Sequence, residues 1–167
     1  MIELKKILTG AALMLGLVCM SHSDLMGQDY QSAAGVRLGY PLSASYKVFT
    51  TPDAAFEGVL GLGTNYSSGN ALTIALFYEK YKPIDVERLQ WYYGFGPSVA
   101  FWSSSGLSNI NLGIHGLIGL DYSFEEIPLN LSLDLIPGFY FKVSGYNCTF
   151  CGGYRSFGGL SVRYILN

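Results

Sequence analysis

The chain is short of charge. Of its 167 residues only 10 are Lys or Arg and 12 are Asp or Glu, 13% together, about half the share usual in soluble globular domains. A soluble domain with so few charges would need an unusually Ser- and Asn-rich exterior. The net charge of −2 leaves no basic surface, so nucleic acid is not an expected partner. Cysteine is scarce too, with three in the chain, and a single Cys-x-x-Cys pair cannot complete a four-ligand zinc site. Beyond the first 20 residues no apolar stretch approaches 18 residues, which excludes a visible spanning helix. It does not exclude a membrane, because a barrel strand needs only ~9–11 alternating residues.

What is present in quantity is hydrophobic (50%) and aromatic (15%), with 21 Gly, 13 Tyr and 10 Phe. The length fits one domain with one core. The N-terminus reads as an export signal. Lys5 and Lys6 precede the apolar run Ile7–Met20, of secretory rather than spanning length, and Ser21 and Ser23 suit a cut before Asp24. A cut after Gly27 is the alternative. Residues 1–23 are therefore read as a signal peptide and 24–167 as the mature domain, with Cys19 lost in the signal.

From Ala33 onward no helix is legible. Eight alternating runs recur instead: Ala33–Tyr40, Ser43–Phe49, Ala55–Thr64, Ala71–Tyr81, Leu89–Trp102, Ile110–Phe124, Leu129–Phe141 and Ser156–Leu166. Clusters of Gly, Pro, Ser, Asn and Asp separate them, as in a sandwich or an up-and-down barrel. The longest separator, Lys142–Arg155, falls on the side opposite the N-terminus, where outer-membrane barrels carry their longer loops.

Parity sorts each run into two faces. One face carries Val36, Leu38, Leu60, Leu62, Leu72, Ile74, Leu76, Trp91, Tyr93, Phe95, the Leu129–Leu135 series and Leu160, interrupted by charge only at Lys80. The other carries Arg37, Lys47, Glu57, Glu79, Gln90, Ser98, His115, Asp121, Asn130, Ser132, Asp134 and Arg163, padded with glycine. A soluble barrel would turn the apolar face inward, but so many large side chains exceed the interior of eight strands, which ordinary side chains already fill. Small and polar residues inside, large apolar ones outside toward lipid, is the arrangement that fits.

That assignment makes Arg37, Lys47, Glu57, Glu79, His115, Asp121, Asp134 and Arg163 an interior charge network. Centring each hairpin on its separator sets Lys47 opposite Glu57, Ser98 opposite His115 and Asp134 level with Arg163. Opposite charges in reach are what a narrow, filled interior needs. Pro97 and Pro137, each beside glycine, are read as bulges or kinks, since proline cannot donate to a ladder.

The stretches "AGVRLGYPLSASYKVF", "AFEGVLGLG", "LQWYYGFGPSVAFW", "IGLDYSFEEIPLNLSLDLIPGFYF" and "GLSVRYIL" together resemble the small OmpA/OmpX-like barrels of bacterial outer membranes. The resemblance spans the mature chain. It implies an all-β, eight-stranded antiparallel transmembrane barrel in the outer membrane, surrounded by lipid and monomeric. The closing strand, with Gly159, Leu160, Val162, Tyr164 and Leu166, is similar to the signal read by the barrel insertion machinery. Leu166 and Asn167 stand where that signal usually has a terminal aromatic.

The chemistry-bearing residues are few. "CTFC" (Cys148, Cys151) in an exported loop reads first as a disulfide stapling that loop, with free thiols, a redox pair or a metal site as the other readings. Around it, Tyr146, Phe150, Tyr154 and Arg155 are the candidate outward contacts for an unidentified surface ligand. Ser98 and His115 could form a nucleophile–base pair, but a hydrogen-bonded interior histidine is the plainer reading. No cofactor, no metal and no catalytic residue is therefore expected. The expected role is structural or surface-interacting. The alternatives are a small-solute pore, a lipid-modifying enzyme built on Ser98 and His115, and a soluble secreted ligand-binding barrel.

Overall fold

The structure is a computed structural model that describes residues 30–65, 69–104, 107–142 and 152–166. The N-terminal apolar run, Cys148, Cys151, Tyr146 and Phe150 lie outside the described residues. Eight strands follow one another: β1 (Ser32–Gly39), β2 (Leu42–Thr51), β3 (Ala54–Asn65), β4 (Gly69–Pro83), β5 (Leu89–Ser104), β6 (Leu107–Ser123), β7 (Leu129–Lys142) and β8 (Gly152–Leu166). Each pairs antiparallel with the next, and β8 pairs with β1 to close the barrel in sequence order. Among the described residues there is no helix.

One end of the barrel, the turn end, holds Tyr30, Leu166 and the connections at 52–53, 84–88 and 124–128. The other, the loop end, is where the strands join across 40–41, 66–68, 105–106 and 143–151. Two turns are tied together: Arg88, in the left-handed region with φ 63°, lies 3.2 Å from Glu125. Followed once round through Gly39, Gly159, Asp134, Gly119, Tyr92 and Tyr81, the pairing returns to β1 displaced by about ten residues, a stagger that corresponds to strands tilted ~40° from the barrel axis.

The two faces separate as their parity predicts. Leu62 and Phe95 are each 64% exposed and Ile114 62%, while Lys47, Glu57, Glu79, Asn130 and Arg163 are fully buried. A wall of large apolar side chains thus surrounds an interior of charge, hydroxyl groups and small residues. Ala33, Ser43, Ser45, Ala55, Ser132 and Ser161 fill the space between the charged groups. Across the turn end Tyr30 meets Phe49 edge to face and Phe49 meets Tyr81 at a tilt, with ring centroids 5.1 and 4.9 Å apart.

Three expectations are corrected by the register. First, β8 begins at Gly152, so Tyr154 and Arg155 are strand residues, level with Phe139 and Gly138 on β7, and not part of a loop. The Gly152–Gly153 pair reads as a turn in sequence, but glycine also satisfies a ladder when its neighbour strand supplies the partners. Second, this longer strand moves the hairpin centre toward the N-terminus, so Arg163 lies level with Asn130, and Asp134 with Gly159. The expected Asp134–Arg163 pairing is therefore wrong. By the same logic Ser98 is level with Gly113, and His115 with Gly96. Third, the prolines produce no bulge. Pairing of β4 with β5 lapses between Ala75–Ser98 and Tyr78–Phe95, and of β6 with β7 between His115–Gly138 and Ile118–Leu135, with the register unchanged on both sides. Each proline lacks an N–H donor, so the ladder loses bonds without gaining a residue. The register shift among the described strands lies between Phe49 and Thr51, beside the β2–β3 turn.

Candidate functional site in the barrel interior

Two cations form the centre of the interior. Lys47 projects from β2, with its Nζ 3.0 Å from Glu79, 3.6 Å from Asp121 and 3.9 Å from Glu57. It also donates to the Tyr81 hydroxyl, which in turn donates to Glu79 Oε2 at 2.7 Å. Tyr81 and Tyr92 stack with centroids 5.0 Å apart, and Lys47 Nζ sits 4.7 Å from the Tyr92 ring centroid. A desolvated ammonium over an aromatic face gains electrostatic stabilisation. Arg163, from β8, is ion-paired with Glu57 and donates from Nε to Ser45 Oγ at 3.0 Å. Its Nη1 donates to Ser132 at 2.5 Å and to Asn130 at 3.4 Å. Asn130 donates onward to Asp121.

A third cation stands apart toward the loop end. Arg37 from β1 is ion-paired with Asp134, whose other oxygen accepts the Tyr92 hydroxyl at 2.8 Å. The Lys47–Glu57 hairpin pair is therefore brought together, and Asp134 and Arg163 are each paired with a different partner. Sequence reading missed Tyr81 and Tyr92 as interior groups. Parity was the available signal, since Tyr92 shares a face with Gln90 and Ser98, and Tyr81 with Glu79.

His115 and Ser98 meet diagonally, with Nε2 and Oγ 2.8 Å apart. The imidazole lies edge-on to Tyr140, with ring centroids 4.9 Å apart. It rests on Gly138, where an added Cβ would fall 2.0 Å from Nδ1. The seat exists because position 138 has no side chain. Beside it lies a cavity of about 40 Å³ lined by Arg37, Ser43, Thr73, Ser98, His115 and Tyr140 among others, room for a few water molecules.

Outside the wall, aromatic rings cluster toward the turn end: Phe56–Tyr78 at 5.3 Å, Trp91–Tyr93 at 5.3 Å and Tyr122–Phe124 at 5.0 Å. Tyr40 and Phe139 are exposed toward the loop end. Lys80, on the apolar face, is ion-paired with Asp53 in the β2–β3 turn. Hydrogen bonds from Lys80 and Thr51 hold the Asp53 carboxyl below its ordinary value. Among the described residues, no group of three His, Cys, Asp or Glu side chains is placed to hold a metal ion.

Fold and interior together define a closed, eight-stranded antiparallel barrel with a charged, filled core, compatible with the OmpA/OmpX-like architecture. Compared with protein-family models, curated proteins and solved structures, the chain matches none.

Proposed function

We propose that this chain is an integral β-barrel protein of a bacterial outer membrane, with a structural or surface-interaction role and no catalytic activity. The observation that carries the reading is the inverted wall. Leu, Ile and Phe side chains stay exposed all round the barrel, while Lys47, Glu57, Glu79 and Arg163 are fully buried. In water such an exterior far exceeds the few hundred Å² of apolar patch that soluble monomers tolerate. In a bilayer it is the outward band expected of a transmembrane barrel, flanked by aromatic girdles. Insertion by the barrel assembly machinery, monomeric state and an outward ligand site belong to the same proposal.

Cell fractionation followed by gel electrophoresis of boiled and unboiled samples tests it. The expected result is recovery in outer membranes and a mobility shift on heating. Recovery as a soluble protein without detergent overturns it. A second reading, a lipid-modifying hydrolase, has the 2.8 Å Ser98–His115 contact in its favour. Loss of such an activity in a His115→Ala variant would establish it, whereas the burial of Ser98 inside the wall counts against access for a lipid.

A further inference from the structure

The outer wall is not uniformly covered. Two adjacent outward rows cross β5 to β8: Trp91, Leu120, Leu133 and Leu160 are successive register partners, and so are Tyr93, Ile118, Leu135 and Gly158. In the second row a glycine stands where a side chain would close the surface. A groove of about 540 Å³ runs between the rows, floored by backbone at Gly119, Asp134 and Gly159 and lined almost wholly by apolar surface. That volume lies in the range of pockets that take one small ligand.

The course of the groove follows from the stagger of the strands. Trp91 lies close to the turn-end start of β5, whereas Leu160 and Gly158 lie well inside β8. The groove therefore climbs obliquely from the turn-end rim to mid-wall. Across three inter-strand spacings it extends roughly 14 Å. At its rim end the register partner of Trp91 is Lys82, which is exposed and among the described residues has no ion pair. Lys80, two residues earlier, is taken by Asp53.

We propose that this groove binds one acyl chain of an anionic phospholipid, its tail against Gly158 and its phosphate at Lys82, with Trp91 at the headgroup boundary. The proposal rests on the reading that the barrel spans a bilayer. The shape selects a chain, since the lining offers no polar partner along its length. The charge at one end selects the headgroup and the orientation. Aromatic placement at the interface agrees with the same polarity.

Native mass spectrometry of the full-length protein from detergent, with phosphatidylglycerol or phosphatidylcholine added, tests the proposal. The wild type is expected to retain one phosphatidylglycerol. Gly158→Leu fills the groove. The Cβ at 158 meets only the end of the Leu135 side chain at 3.1 Å and the Asp134 carbonyl at 3.3 Å. This variant is expected to lower the lipid-bound fraction at least tenfold. Leu135→Trp, which fills the same space from the neighbouring strand, should do likewise. Lys82→Gln should shrink the preference for phosphatidylglycerol over phosphatidylcholine, and Ala44→Leu, an added side chain on the opposite wall, should change nothing. Equal lipid retention by both filling variants, equal loss in Ala44→Leu, or a dimer that Gly158→Leu abolishes would each overturn the groove. A heat-shifted gel mobility for every variant keeps this outcome separate from failure of the membrane reading itself, which fractionation of the wild type decides.

Discussion

Arg163 holds groups from three other strands: Ser45 on β2, Glu57 on β3, and Asn130 and Ser132 on β7. Glu57 faces both Arg163 and Lys47, so removing either partner strands a buried charge. Breaking a buried pair typically destabilises by about 3–5 kcal/mol, whereas replacing both members with apolar groups of similar volume is often neutral. Glu57→Leu and Arg163→Met are each expected to fall in that range, and the double variant to lose clearly less than their sum. Urea unfolding in phospholipid vesicles, followed by Trp91 and Trp102 fluorescence, measures the cycle; strict additivity would show that the two groups act independently. Only part of this chemistry is legible in the sequence. Lys47 and Glu57 flank a tight turn, so counting from the turn finds them. Arg37–Asp134 and Arg163–Glu57 join strands far apart in the chain, and their meeting depends on barrel radius and stagger, which no hairpin count contains.

At the level of the strands, alternation locates all eight elements and their inward and outward faces, because a period of two survives any error of boundary. The register of β7 on β8 is less legible. Its connection spans residues 143–151, and a two-residue error in the centre moves every partner by four. The observed register sets Leu133 level with Leu160. In a background with Cys148 and Cys151 changed to serine, Leu133→Cys with Leu160→Cys is expected to cross-link on oxidation. Leu135→Cys with Val162→Cys, the pair required by the sequence-based centre, is expected not to. Cross-linking of the second pair alone would restore that centre. The prolines show the opposite case. Their position is plain in the sequence, but the lapse of pairing at Pro97 and Pro137 without a bulge depends on which neighbour each missing N–H would have reached.

For the molecule as a whole, the interior bears on permeability. Lys47, Arg163, Glu57, Glu79, Tyr81 and Tyr92 are buried together inside the turn-end half of the barrel, and eight strands leave little interior beyond their own side chains. The purified protein in planar bilayers is therefore expected to give no steady conductance; a reproducible open level of long lifetime would show that the core rearranges into a channel.

The seam between β1 and β8 carries a kinetic consequence. Seven of the eight strand pairings join neighbours in sequence, but Ser32 donates to Leu166 across a separation of 134 residues. Such a contact forms only after nearly the whole chain has been gathered, and topologies dominated by distant contacts fold slowly. Until the two ends meet, the sheet has two open edges, a charged face that hydrocarbon would repel and an apolar face that water would. No single solvent suits the unclosed sheet. The order of events is thereby constrained: hairpins assemble first, at a boundary between the two solvents, and closure of the seam is the event that separates the two faces for good.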